Sequence, residues 1–258
     1  MISNHAVISN QPETSVASQG PDGLLRYLEG VPGMGRGQRR LVVVLSQLGD
    51  FDSLEYAQAL VPVMPQLASA GISILAIAIG DEAGRQRFCG FTGFPPERLV
   101  VTAEPELHRA LGLYGGLTVL GGPWPNLLLM CAGVGSPGTL AEVLRGYTGD
   151  RQAPQRIADD ETVQAGPLPP IQGSFFSLAG GKGFQRPFEL ATLRLRNMAE
   201  VLAHWRNYVP SDTYLTQRGG TFLLDADDTL LYSYKDRGIL GFSATMARPL
   251  NFLDPYLA

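Results

Sequence analysis

Continuous apolar runs and helical patterns alternate along the first half of the chain. Unbroken apolar runs at 41–45 and 72–79 predict two strands that are buried on both faces, and 99–102 predicts a shorter third strand. Helical spacing of apolar residues predicts one helix after each strand, over 53–69, 81–91 and 104–113. This β-α-β-α-β order implies a parallel sheet with right-handed crossovers.

The first predicted helix carries two features that shape it. Pro62 and Pro65 fall inside it and are expected to kink it or split it into two pieces. Asp52 is followed three residues later by Glu55, and this spacing predicts a capping box at the start of the helix.

The middle of the chain, 115–183, is rich in glycine and proline. Within it, 139–147 predicts a helix, and Thr139 with Glu142 fits a capping box at its start. Residues 148–183 look like a long polar excursion. A loop of that length inside a domain indicates an insertion with a function or a segment of low order.

A long amphipathic helix and a hairpin follow. Pro187 predicts the start of the helix, which extends to about Tyr208. The apolar positions that are expected to face the core are Phe188, Ala191, Leu195, Met198, Leu202 and Trp205. After the helix, 219–225 and 230–234 flank an acidic turn and predict two antiparallel strands at one side of the sheet.

These elements predict an α/β fold. Its central mixed sheet combines parallel β-α-β units with a C-terminal hairpin and is flanked by helices. We expect a flexible leader over 1–37 and a main domain over 38–240 with an insertion at about 115–183. The tail, 241–258, is expected to pack on the domain.

Composition narrows the function classes. The 258 residues carry a net charge of −4 and are 45% hydrophobic and 17% charged, which is typical of a globular protein and gives no basic field for nucleic acid. No apolar run approaches the roughly 18–20 residues of a membrane span. The N-terminal segment has no signal or transit pattern, and two cysteines make no disulfide framework, so we expect a cytoplasmic setting.

The histidines give no sign of a metal site. His5, His108 and His204 are scattered without ligand spacing, so neither a metal nor a cofactor is expected. His108 and His204 are expected to be partly exposed surface residues.

Four motifs give the chain a resemblance to a known family. They are the strand, glycine turn and helix at 41–55, then Gly93-Phe94-Pro95, then Glu104-Pro105-Glu106 leading to Leu111-Gly112-Leu113, and last Gly219-Gly220-Thr221-Phe222. In this order they resemble peroxiredoxin-like proteins of the AhpC/TSA family, in particular the prostamide synthase-like and cyanobacterial or plastid antioxidant branch. The resemblance covers about 38–240. It implies a thioredoxin-like fold, a link to redox homeostasis and a cyanobacterial or plastid-stroma-like setting.

The chain departs from that family where the thiols are expected. The family pattern resembles Gly-Cys-x-x-Cys-x-Glu, whereas this chain has Asp50 and Ser53 at the two thiol positions, between Gly49 and Glu55. A helix N-terminus stabilises a reactive thiolate, but a carboxylate or a hydroxyl cannot form the sulfenic acid that follows. We therefore expect a binding or regulatory protein, with an unknown protein partner or small ligand and no confident catalytic residue.

The alternative is a thiol-dependent peroxidase or oxidoreductase that uses Cys89, with Cys131 or a partner thiol resolving. Two arginines shortly before Cys89 favour a thiolate there. Its phenylalanine neighbours instead favour a buried structural cysteine, and Cys131 ends an apolar run. The sequence leaves open whether the protein is an enzyme.

A third hypothesis concerns an anion. Gly180, Gly181 and Gly183 surround Lys182 just before a predicted helix that also follows Arg186. Helix starts with unpaired N–H groups bind phosphate or carboxylate, and Arg194 would extend the basic face. Lys182, Arg186 and Arg194 are therefore candidate anion ligands of an anion-dependent enzyme or sensor. The alternative is that the glycines only shape the helix entry and the arginines are solvated or paired.

Overall fold

Five strands form one mixed sheet at the centre of a computed structural model, which describes residues 22–119 and 121–257. The strands are β1 (Arg39–Gln47), β2 (Ile72–Ile79), β3 (Leu99–Thr102), β6 (Gly220–Leu224) and β7 (Leu230–Lys235), with β4 (Thr162–Val163) and β5 (Ile171–Gln172) in a separate small sheet. Their order is β3-β2-β1-β6-β7. The first three are parallel, and the β6–β7 hairpin joins antiparallel. The predicted mixed α/β sheet is confirmed.

Helices cover both faces of this sheet. They are α1 (Asp22–Glu29), α2 (Phe51–Leu60), α3 (Met64–Ser69), α4 (Glu82–Thr92), α5 (Glu106–Ala110), α6 (Pro123–Cys131), α7 (Thr139–Thr148), α8 (Gly173–Gly180), α9 (Glu189–Ala203) and α10 (Trp205–Tyr208). Short 3₁₀ turns lie at Val61–Val63, Pro96–Arg98, Asp212–Tyr214 and Asn251–Tyr256. Within the described ranges, none of the helices has the length and hydropathy to cross a bilayer.

The burial of β1 on both faces explains why its central residues, 41–45, are all apolar. Leu41, Val43 and Leu45 face the cluster that α2, α4 and the C-terminal tail complete. Val42 and Val44 face the opposite cluster, which contains α1 and α5. A strand buried on both faces cannot alternate apolar and polar residues.

The leader and the division of the chain into domains remain predictions. Residues 1–21 lie outside the described residues. The part of the leader that is described begins with α1, which packs against α5 and the sheet. At the other end, Phe242 is buried, and Phe252 and Tyr256 pack against the same core.

The prolines split the first long helix as predicted. Helix α2 ends at Leu60, a 3₁₀ turn follows from Val61, and α3 runs from Met64. The predicted capping box is wrong, because the cap is Asp50, whose carboxylate accepts the backbone N–H of Asp52 at 3.1 Å. Asp52 and Glu55 are both buried and have other partners.

The predicted capping box at α7 is also wrong. The residue before the helix is Gly138 in a left-handed conformation, and no side chain caps the start. The Thr139 hydroxyl instead contacts the Ser136 hydroxyl at 2.7 Å and donates to the carbonyl oxygen of Ile239 at 3.0 Å. Thr139 therefore ties α7 to the C-terminal tail.

The segment 148–183 is more ordered than a polar excursion. It contains β4, β5 and α8, and its own apolar cluster of Ile157, Val163, Ala165 and Phe176 packs against Leu193 of α9. The sequence pattern does not predict these elements, because each is only two to eight residues long.

The apolar stripe predicted for the long helix faces the core only in part, since Leu195 and Trp205 pack against apolar clusters. Helix α9 begins after Phe188, which is 55% exposed, and Leu202 is 57% exposed. The buried face is Glu189, Leu190, Thr192, Leu193, Asn197 and Val201. Its rotation is fixed by polar contacts, since the amides of Asn197 and Gln58 of α2 exchange hydrogen bonds of 3.0 and 3.1 Å. Both faces carry apolar residues, so spacing alone did not distinguish them.

Candidate functional site

The turn between β1 and α2, which we call the mouth, is built by close backbone approach. A Cβ on Gly49 would lie 2.4 Å from the side chain of Val209, and one on Gly219 would lie 2.2 Å from the carbonyl oxygen of Val44. Only glycine fits at both positions. The first contact packs the turn against the end of α10, and the second holds the residue before β6 against β1, so that Arg218 reaches the mouth.

A buried arginine joins the acidic residues of the mouth. Arg218 is 1% exposed, and its guanidinium pairs with Asp50 and with Asp52, whose Oδ2 lies 3.0 Å from Nη1. The Asp52 carboxylate also accepts the backbone N–H of Leu240 at 2.7 and 2.8 Å. The mouth is therefore occupied by an internal ion pair that also holds the C-terminal tail.

Asp236 is a third carboxyl near Arg218, so three acidic side chains share one guanidinium. Burial, and next the charge of Asp50, raise the pKa of Asp52 well above its ordinary value, against the opposing charge of Arg218. Burial raises the pKa of Asp236 to about 8, again against the charge of Arg218. One guanidinium facing three carboxyls explains the direction of both shifts, since desolvation and like charges favour the protonated form.

Beneath the mouth lies a small cavity. Its volume is about 10 Å³, and its lining includes Asp52, Ser53, Tyr56 and Asp236. The Tyr56 and Thr221 hydroxyls are 2.8 Å apart. The Ser53 hydroxyl is buried and has no hydrogen-bond partner among the described residues, so Ser53 faces the inside of the molecule and not the surface.

An apolar groove runs beside the mouth. Its volume is about 300 Å³, and its lining includes Phe51 of α2, Tyr147 of α7, Met198 of α9 and Leu240. It is lined further by Val143, Gly146, Leu168, Phe188, Ala191, Thr192, Arg194 and Leu195. The predicted core stripe of α9 therefore faces this groove in part.

Two groove residues have strained backbones. Phe188 has φ 65° and Leu240 has φ 62°, which places both in the left-handed region that side chains with a Cβ rarely adopt. Asp228, in the hairpin turn, is the third non-glycine residue in this region within 22–119 and 121–257. Strain of this kind concentrates at functional sites, where the surrounding structure holds it in place.

A comparison with protein families matches residues 59–238 to the model described as AhpC/TSA antioxidant enzyme. The chain belongs to the AhpC/TSA family. The match begins after the mouth, so it does not include Asp50 or Ser53. Searches of curated proteins and of solved structures gave no significant match.

The fold raises the pKa of both thiols of this AhpC/TSA protein. Cys89 is buried in α4, and burial raises its pKa to about 11, against the charge of Arg85. Cys131, at the end of α6, is exposed as a residue, yet desolvation of its thiol and then the charge of Asp50 raise its pKa. The charges of the mouth thus shift the pKa of Cys131 but not that of Cys89. The sequence analysis did not predict that Cys131 lies near the mouth.

The predicted anion ligands have carboxylate partners. The Lys182 ammonium lies 2.7 Å from Asp159, and the fully buried Arg186 pairs with Asp159 at 2.7 Å and with Glu189 at 3.2 Å. Glu189 also accepts the backbone N–H groups of Arg186, at 2.8 Å, and of Arg156, at 2.7 Å. The start of α9 therefore carries an internal anion, and binding of an external one stays a prediction.

Arg194 is not brought together with the other two candidates. Its guanidinium lies 2.7 Å from Glu55 of α2 and 3.2 Å from Glu142 of α7. Burial raises the pKa of Glu55, but the charge and hydrogen bond of Arg194 outweigh burial and leave it below its ordinary value. Arg194 thus joins three helices around the side of the groove.

The expectation of a surface His108 is wrong. His108 is 1% exposed, and its Nε2 lies 2.7 Å from the carbonyl oxygen of Leu45. Burial lowers its pKa, so the neutral ring is favoured, which donates this hydrogen bond to β1. His204 is partly exposed, as predicted. In the described part of the chain, no group of three or more His, Cys, Asp or Glu side chains is arranged to hold a metal.

Sequence reasoning missed Arg218, Asp236 and Leu240. These residues lie some 165 to 190 positions after the mouth, and only pairing of β6 with β1 brings them to it. One signal in the sequence could have indicated Arg218. Asp50 and Asp52 need a cation if the start of their helix is buried, and Arg218 directly precedes Gly219 of the fourth motif.

Proposed function

We propose that this AhpC/TSA protein is a binding or regulatory member that works without peroxidatic thiol chemistry. The observation that carries the proposal is the ion pair of Arg218 with Asp50 and Asp52 at the start of α2. A helix N-terminus favours an anion, and here the Asp50 carboxylate takes that position. A guanidinium that already pairs with two carboxylates is not available to an incoming peroxide.

The finer assignment is part of the same proposal. We propose that Asp50 and Ser53 stand where other members of the prostamide synthase-like or cyanobacterial and plastid branch carry cysteines. The order of β1, Gly49 and α2 supports this correspondence.

A direct test of the correspondence is Asp50→Cys. A thiol at the α2 start, beside Arg218, is expected to titrate below its ordinary value of ~8.5 and to react with hydrogen peroxide faster than Cys89 or Cys131. An introduced thiol that stays unreactive in the folded variant would contradict the correspondence. Ser53→Cys serves as the matched variant, because its thiol would be buried and is expected to stay protonated.

The groove is the proposed contact surface. Its lining is apolar apart from Thr192 and Arg194, and Arg194 is paired with Glu55 and Glu142. An uncharged, apolar ligand or partner segment therefore fits it better than an anion. The strained Phe188 and Leu240 support a functional origin for this surface.

The test of the non-thiol proposal compares the wild type with Cys89→Ser/Cys131→Ser. Both proteins are given hydrogen peroxide and dithiothreitol, and peroxide consumption is followed. We expect equal rates, at the level of dithiothreitol alone. Consumption by the wild type that the cysteine-free variant loses would refute the proposal.

The competing hypothesis is a thiol peroxidase that uses Cys89, with Cys131 or a partner thiol resolving. It requires that Cys89 be trapped by a sulfenic-acid probe after stoichiometric peroxide, and that Cys89→Ser abolish turnover. The anion hypothesis requires stabilisation of the protein by inorganic phosphate that Lys182→Ala removes.

A further inference from the structure

Two polar atoms beside the small cavity beneath the mouth have no hydrogen-bond partner among the described residues. They are Oγ of Ser53, in the first turn of α2, and Oδ1 of Asp236, the residue directly after β7. Both residues line the cavity and are buried, at 1% and 6% exposure. A buried hydroxyl or carboxyl is almost always hydrogen-bonded, because leaving it unpaired costs its full desolvation. The two atoms therefore indicate a ligand that bonds to both.

The size of the cavity limits that ligand. Its volume of about 10 Å³ is close to the ~10–15 Å³ that one water molecule needs. Hydrogen peroxide has two oxygen atoms and needs more room. An internal water is stable where it finds roughly two to four polar partners. The lining supplies them, because it includes Asp52 and Tyr56 besides Ser53 and Asp236.

The charges around the cavity favour a neutral ligand. The guanidinium of Arg218 pairs with Asp50 and Asp52, and its charge lowers the pKa of Asp236, so a cation in the cavity would meet an opposing charge. The same three carboxyls disfavour an anion. Water both donates and accepts hydrogen bonds, so it can serve the Ser53 hydroxyl together with a carboxyl that is either protonated or ionised.

We propose that this cavity binds one internal water molecule, which bridges the Ser53 hydroxyl and the Asp236 carboxyl. Ser53 belongs to α2 and Asp236 follows β7, so the water joins these two elements beneath the mouth. Arg218 joins the same region through its ion pairs with Asp50 and Asp52. The water site does not depend on whether the protein reacts with peroxide.

A high-resolution crystal structure of the full chain tests the site directly. We expect one peak of electron density within ~3.2 Å of both Ser53 Oγ and Asp236 Oδ1. A direct hydrogen bond between the two side chains, or no density between them, would overturn the proposal. Density held by several oxygen atoms at ~2.0–2.6 Å would overturn it as well, because a cation then occupies the cavity.

Oxygen-17 relaxation dispersion, which counts long-lived internal waters, tests the site in solution. Ser53→Val removes the hydroxyl and fills the cavity with methyl groups, so we expect about one internal water fewer than in the wild type. Thr92→Val is the matched control. Thr92 is 8% exposed, its hydroxyl donates to the carbonyl oxygen of Phe88 at 2.7 Å, and it does not line the cavity.

The outcomes of the solution experiment are distinct. A loss of one water in Ser53→Val that Thr92→Val does not show, with both variants folded, supports the proposal. An unchanged count in Ser53→Val refutes it. If Ser53→Val does not fold, the wild-type crystal structure decides.

Discussion

Asp52 and Glu55 lie three residues apart on α2, and both are almost completely buried. The pKa of Asp52 is raised, whereas that of Glu55 is lowered. Burial acts upward on both carboxyls and therefore cannot explain the difference. The surroundings do, because Asp52 shares Arg218 with two other acids, while Glu55 has the close charge and hydrogen bond of Arg194.

The two carboxyls therefore have different roles. Glu55 belongs to an ion-pair network that holds helices together, whereas Asp52 belongs to the acidic cluster at the mouth. Around Glu55, two carboxylates alternate with Arg194 and Arg145 and hold α2, α7 and α9 together. Around Arg218, the carboxyls of Asp50, Asp52 and Asp236 outnumber the single guanidinium, and the pKa values of Asp52 and Asp236 are raised.

Removal of Arg218 should have the largest effect. Arg218→Met leaves Asp50, Asp52 and Asp236 without their guanidinium, and breaking a buried pair in this way costs about 3–5 kcal/mol of unfolding free energy. Urea unfolding at pH 7 measures the loss. The loss should shrink towards pH 5, because Asp52 and Asp236, whose pKa values are raised, then hold protons. A variant as stable as the wild type at pH 7 would show that the cluster is not held by this charge.

Amide replacements on α2 sharpen the comparison directly. Glu55→Gln removes a paired charge and should cost about 3 kcal/mol, since Arg194 then loses its main counter-ion. Asp52→Asn removes an excess charge and should cost less, about 1 kcal/mol. Urea unfolding of both variants at one protein concentration compares them. The reverse order of costs would contradict the charge count.

The raised pKa of Asp236 predicts that the protein loses stability as the pH rises. Asp236 has a pKa of about 8 in the folded protein against its ordinary 3.8, so the folded state holds an additional proton between these values. Its contribution is fully present below pH 3.8 and is lost as the pH rises through about 8. The slope is at most ~1.4 kcal/mol per pH unit.

Asp236→Asn should flatten that slope, measured by urea unfolding at pH 5, 6, 7 and 8. Glu55 contributes with the opposite sign, because its lowered pKa gives stability that is present above its ordinary value of 4.5 and lost as the pH falls. A slope that Asp236→Asn leaves unchanged would assign the proton to another group.

The smallest expected effect concerns the strain beside the mouth. Phe188 is exposed and has φ 65°, a conformation that asparagine adopts more readily. Phe188→Asn should leave the unfolding free energy unchanged or raise it by up to ~1 kcal/mol. Thermal melting checks this. A clear destabilisation would mean that the Phe188 ring supports the fold instead of a contact surface.

Most of the sheet followed from local pattern, because buried strands such as 72–79 leave continuous apolar runs. The candidate site did not follow, because Arg218 and Asp236 reach the mouth only through the pairing of β6 with β1. The rotation of α9 was predicted wrongly for a related reason, since the Asn197 contact that fixes it is polar and remote in sequence. The local spacing of apolar residues predicts which positions are buried. It does not predict which charged residue, remote in the sequence, lies close in space.

The most direct test of the central claim is the rate at which hydrogen peroxide oxidises each cysteine. Quenched samples read by mass spectrometry would give a rate for Cys89 and for Cys131, in the folded protein and in urea at the same pH. Both pKa values are raised by the fold, so both thiols should oxidise more slowly when folded than when unfolded. Faster oxidation of either cysteine in the folded protein would contradict the account.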